Sequence, residues 1–194
     1  MRSRPTGFSL LELLVVVVII GLAIAIVGVS VGDNKPQQLR NAARDFANYI
    51  AQVEDEAVLS RESWGVQIYR ENNADGVEHV VYRFLRQSAE GWQPDAPREI
   101  PREIHFADNI TVRLEIDGAE QLIEPLPAET ARKDEKNKTN DKNKLAPTIW
   151  LAPGGEVTPF ILQLRFPGEE HGPIVRSDAL GRIELDIRQD DENK

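Results

Sequence analysis

The stretch TGFSLLELLVVVVIIG, Thr6–Gly21, is an apolar run that holds a single acid, Glu12. From Phe8 the apolar sequence continues to Val31, with Ser9, Glu12 and Ser30 as its only polar members. At ~1.5 Å of rise per residue, Phe8–Val31 makes roughly 36 Å of helix, enough to cross a ~30 Å hydrocarbon core with some tilt. A buried core helix is the competing reading, but such helices seldom run this far without charge. Arg2 and Arg4 precede the run and Asp33 follows it. The positive-inside bias then places the amino terminus in the cytoplasm and the rest of the chain across the membrane. An ionised acid at bilayer depth costs roughly 2.5–3.5 kcal/mol even on the lenient insertion scale, so Glu12 needs a partner or a purpose.

An ordinary secretory signal has a shorter apolar stretch with small residues behind it. Here the run is longer and the small residue, Gly7, stands in front. Gly7, Phe8, Ser9, Leu10, Leu11 and Glu12 resemble the processing motif of type IV pilins and type II secretion pseudopilins. The resemblance implies that prepilin peptidase cuts after Gly7 on the cytoplasmic side and methylates the new amino terminus at Phe8. Loss of Met1–Gly7 removes two arginines, so the formal charge becomes 21 − 32 = −11 before the new amine is counted. Cleavage also supplies the partner that Glu12 lacks. The freed α-amine of Phe8 is a cation at membrane depth, on the same or a neighbouring subunit, and the pair is worth far more in low dielectric than in water. In the family that pairing sets the register of stacked subunits, so Glu12 is assigned to assembly; an acid that only snorkels to the interface is the plainer alternative.

The remainder of the chain reads as one soluble domain of ordinary size. Leu39, Ala43, Phe46, Ile50, Val53 and Ala57 recur at spacings of four and three, a helical stripe, and Pro36 marks a kink or a fresh helix start ahead of it. Beyond Ser63 the period becomes two: Trp64–Ile68, Val80–Leu85, Ile110–Ile116, Phe160–Phe166 and Ile183–Ile187 alternate as half-buried antiparallel strands. Asp75-Gly76 signals a hairpin between the first two; the calcium-loop reading of Asn73-x-Asp75-Gly76 lacks its remaining ligands. Six or seven strands are expected in all. The class is α+β: a long amino-terminal transmembrane and amphipathic helix packed on antiparallel β-sheets, as in the pilin-like fold. The expected organisation is a leader over 1–7, a transmembrane helix over 8–31, an amphipathic periplasmic helix over 32–63 and a β-rich domain over 64–194. Glu129–Lys144 mixes charges with almost no apolar content and is expected to be a disordered loop, a polybasic lipid site being the weaker alternative because Asp134, Glu135 and Asp141 dilute its lysines.

Several chemistries find no support in the residues. The net charge of −9 arises from 32 acids and 23 bases without a basic face, which argues against nucleic acid. There are no cysteines, hence no disulfides or thiolate metal sites. His79, His105 and His171 lie far apart in sequence without metal-ligand spacing, and no nucleophile, Walker or zinc-protease motif appears. No catalytic, cofactor or metal residue is therefore assigned.

Within the family, the apolar run lacks the proline usual in major subunits, the cysteines of many type IV pilins are missing, and VYRFLRQSAEGWQP, PGGEVTPFILQL and DALGRIELD are similar to paired strand–turn segments of the H-type minor pseudopilins of type II secretion. That resemblance implies a non-enzymatic subunit of a short periplasmic pseudopilus that supports export of folded proteins across the outer membrane. Its implied partners are the other minor pseudopilins, the major pseudopilin, prepilin peptidase and the inner-membrane secretion platform. Its implied place is the inner membrane, crossed once, with the globular domain periplasmic. A minor pilin of a type IV pilus is the alternative within the family, and a membrane-anchored periplasmic enzyme the alternative from another class.

Overall fold

The structure is a computed structural model that describes residues 10–30, 35–72, 76–126 and 145–187. It comprises two compact units, residues 1–38 and 39–194.

The first unit is dominated by helix α1, Leu10–Ser30. Its sequence is apolar on every side, unlike the one-sided stripe of a helix that lies on a soluble core.

Helix α2 spans Lys35–Ser60. Pro36 falls in its first turn, where a missing N–H leaves no intrahelical bond unmade. The helix stops at Arg61, whose φ of 57° is the left-handed conformation that ends helices. Its buried side chains are Leu39, Ala43, Phe46, Ile50, Val53 and Ala57, the stripe expected from the spacing, with Ala47 added.

Ten strands follow among the described residues: β1 Trp64–Asn72, β2 Glu78–Ser88, β3 Gly91–Pro94, β4 Glu103–His105, β5 Thr111–Ile116, β6 Ala119–Gln121, β7 Ile149–Leu151, β8 Phe160–Arg165, β9 Ile174–Ser177 and β10 Ile183–Asp186. They form two five-stranded sheets. The first has the order β3-β2-β1-β7, with β4 also pairing β2, and the second the order β10-β9-β8-β5-β6. Every strand pairing is antiparallel. The count exceeds the six or seven expected; the strands not foreseen, β3, β4, β6, β7 and β9, have only three or four residues each.

Phe46 sits at the junction of α2 with both sheets. Its ring meets Tyr82 of β2 edge-on at 5.0 Å and Phe160 of β8 edge-on at 6.0 Å, with Phe106 tilted at 6.2 Å. Ile50, Val53, Val66, Phe84, Leu114, Leu162 and Leu164 complete a core with no solvent exposure beyond 1% at any of them. Burial of this kind supplies roughly 1.5–3 kcal/mol per large apolar side chain and is the chief force holding the layers together.

The expected alternation fails in the first sheet. Val81 to Leu85 are buried without a break, and Tyr69 is buried on the face opposite Ile68. Both faces are covered there. A Cβ on Gly65 of β1 would collide with the Pro147 ring, so only glycine lets the segment entering β7 lie against the strand. Arg83 is covered too: its guanidinium lies 5.1 Å from the centre of the Tyr69 ring, donates to Gln67 Oε1 at 2.9 Å and pairs with Glu103 at 3.2 Å.

Of the two turn and loop readings, β1 and β2 are antiparallel with Asn72 opposite Glu78, and Gly76 takes a φ of 78°. Asn73 to Asp75 and the loop Glu129–Lys144 lie outside the described residues.

Candidate functional site

Gly7 and Phe8, the expected cleavage and methylation positions, lie outside the described residues. Glu12 is in the first turn of α1. The apolar side chains around it face no protein cover: Leu10 is 86% exposed, Leu11 73% and Leu14 60%. Side chains of α1 are described as far as Ile20, and among the described residues no helix is long and apolar enough to cross a membrane. A helix surface of leucine and valine without cover on any side is unfavourable in water at roughly 25 cal/mol per Å², so it requires lipid or other helices around it.

On α2, Arg40 and Arg44 are exposed, whereas Leu39 and Ala43 are buried. Near the other end of the helix, the Glu54 carboxylate reaches the turn between β9 and β10, where it occupies the space a Cβ on Gly181 would need. Burial raises the Glu54 carboxyl above its ordinary value, and the neighbouring charges of Asp55 and Asp178 raise it further. Asp178 organises that turn by accepting the backbone N–H groups of Leu180 at 2.9 Å and Arg182 at 3.0 Å.

Two of the open grooves of the domain lie among the described residues. One, of about 290 Å³, crosses the outer face of the second sheet along Glu115, Ile161, Arg176 and Glu184, which the strand registers align in one row. The other, of about 430 Å³, is lined by Glu56, Glu62, Trp64, Arg86 and Asp95. Arg86 is tied there to Asp95 at 2.7 Å and to Glu62 at 3.2 Å. These charges are spent on one another, as expected of a solvated structural surface. Among the described residues no three histidine or acidic side chains converge as a metal-ligand set.

The structure also brings together groups that sequence spacing kept apart. Tyr69 donates its hydroxyl to Glu103 at 3.1 Å, and burial, before the Glu103 charge, holds that phenol far above its ordinary value. His79 and His105 lie with ring centres 5.0 Å apart. Both arrangements depend on β4 pairing with β2, and a three-residue strand carries no periodicity from which to foresee it.

An amino-terminal apolar helix, followed by a second helix laid on two antiparallel sheets, defines a pilin-type subunit, and comparison with known proteins agrees. Residues 2–28 match the prokaryotic N-terminal methylation motif. The fold is similar to the crystal structure of the minor pseudopilin EpsH from the type II secretion system of Vibrio cholerae, with a TM-score of 0.56, 22% identity and coverage of 77% of this chain and 93% of that one. Type II secretion system protein H of Pseudomonas aeruginosa is 30% identical over 177 residues, which cover 90% of this chain and 88% of the relative. The same protein of Aeromonas hydrophila is 27% identical over 198 residues, covering 100% and 98%. The chain belongs to the type II secretion system protein H family, the minor pseudopilins of that system.

Proposed function

We propose that this minor pseudopilin is made as a precursor, cut between Gly7 and Phe8 by prepilin peptidase and methylated on Phe8, and then assembled into the secretion pseudopilus with Glu12 as its register acid. The observation that carries the reading is the pairing of the methylation motif with a helix whose apolar side chains, from Leu10 to Ile20, are exposed. Residues 8–31 span the inner membrane once, residues 1–7 are the cytoplasmic leader, and the domain beyond α1 stands in the periplasm. Glu12 then faces a freed amine in low dielectric, where the two charges stabilise each other and either one alone is costly.

Such a subunit acts by packing rather than by turnover. Its partners are the major pseudopilin and the other minor pseudopilins, which share the apolar helix and must be told apart by their globular domains. The exposed arginines of α2, Arg40 and Arg44, suit acidic patches on a neighbour.

The test is mass spectrometry of the full chain co-expressed with a prepilin peptidase. The expected product begins at N-methylated Phe8. An intact Met1 start in the presence of active peptidase refutes the processing step and, with it, the role given to Glu12.

A further inference from the structure

We propose that His79 and His105 form a two-histidine site for a borderline divalent transition-metal cation, with zinc as the reference ion, that clips strand β4 to β2. The pairing of Val81 with His105 puts His79 two residues along β2 from that point, so both imidazoles project from the same face of the sheet. Their ring centres are 5.0 Å apart and their planes are inclined at 49°, which is not a stacked pair. Zinc–nitrogen bonds of about 2.0–2.1 Å at a tetrahedral angle place the centres of two ligating imidazoles roughly 5 Å apart, which matches the observed ring-centre separation.

Hydrogen bonding leaves the pair available. Nδ1 of His79 is buried and has no partner among the described residues, so no acceptor there fixes its tautomer and Nε2 is the nitrogen left for a cation. His79 is half-buried and His105 exposed, which gives a cation access without dismantling the fold. Glu71 of β1 stands directly opposite His79 and adds a negative charge on the same face. Imidazole is a preferred ligand of zinc, copper and nickel, whereas calcium and magnesium take oxygen.

The consequence is local. Strand β4 is three residues long and its continuation is held by the Phe106 N–H to the Val80 carbonyl at 2.9 Å. A cation bridging the two rings adds a cross-link where the ladder is shortest. With two protein ligands, water completes the coordination sphere, so the ion exchanges readily, unlike one in a closed four-ligand site.

The experiment is calorimetric titration of zinc into the untagged full chain in detergent micelles after chelator treatment. One saturable site is expected. H79N and H105N should each weaken it by roughly tenfold or more, the double variant should remove it, and H171N should leave it unchanged. Hydrogen exchange on the wild-type chain gives a reading independent of whether the variants fold: zinc should slow the Ile104 and Phe106 amides selectively. No saturable binding at millimolar zinc, binding retained by a folded double variant, or zinc without effect on those two amides would overturn the proposal.

Discussion

Replacing Phe46 by alanine probes the joint between α2 and both sheets. The ring is fully buried and makes edge contacts with Tyr82 at 5.0 Å and Phe160 at 6.0 Å. Truncation of a buried phenylalanine costs ~3–5 kcal/mol, which includes the transfer energy of the ring and the cavity left behind. The two edge contacts argue for the upper half of that range, since aromatic pairs add ~0.5–1.5 kcal/mol beyond their buried area. Against totals of ~5–15 kcal/mol for a domain, a loss of about 4 kcal/mol is roughly a quarter of the stability or more. Urea unfolding of a fragment starting at Asp33, followed by near-UV circular dichroism, measures the loss. The midpoint should fall by an amount equivalent to about 4 kcal/mol with the slope unchanged, and Phe46→Leu, which refills most of the space, should lose less than half as much. A loss below about 1.5 kcal/mol for Phe46→Ala, half or less of the ~3–5 kcal/mol of a buried ring, would mean that Phe46 does not join the layers.

Gly65→Ala should destabilise the same fragment by ~1–3 kcal/mol, because its Cβ meets the Pro147 ring; an unchanged urea midpoint would refute the close approach. Glu54→Gln should raise the melting temperature at neutral pH and not below the glutamate range. The folded-state value is raised, so the folded chain holds the Glu54 proton more tightly, and stability falls as pH rises from the ordinary glutamate value through the raised one. Equal melting curves for wild type and Glu54→Gln across pH would remove that linkage. Glu12→Ala should leave thermal unfolding of the globular domain unchanged and reduce incorporation into the pseudopilus, measured by co-purification with the major pseudopilin; normal incorporation would show that the acid has no assembly role.

The sequence by itself determined those features whose physical cause is local. A helical stripe of six apolar residues from Leu39 to Ala57 reads directly because burial on one face imposes a 3.6-residue period, and each of the six is buried. The long strands were legible for the same reason with a period of two, and the amino-terminal motif because its residues are consecutive. What only the tertiary structure decided is which strands meet. Strand β2 carries β3 at one end and β4 at the other, and β7, some 80 residues beyond β1, pairs β1 along its far edge. Both faces of the first sheet are covered in the folded chain, as the Pro147 ring against Gly65 shows, so Val81–Leu85 lose the alternation that a half-buried strand would show. The Tyr69–Arg83–Glu103 network and the His79–His105 pair arise in the same way. Their members are brought together by backbone pairing between distant segments, and backbone hydrogen bonds carry no side-chain signature in the sequence.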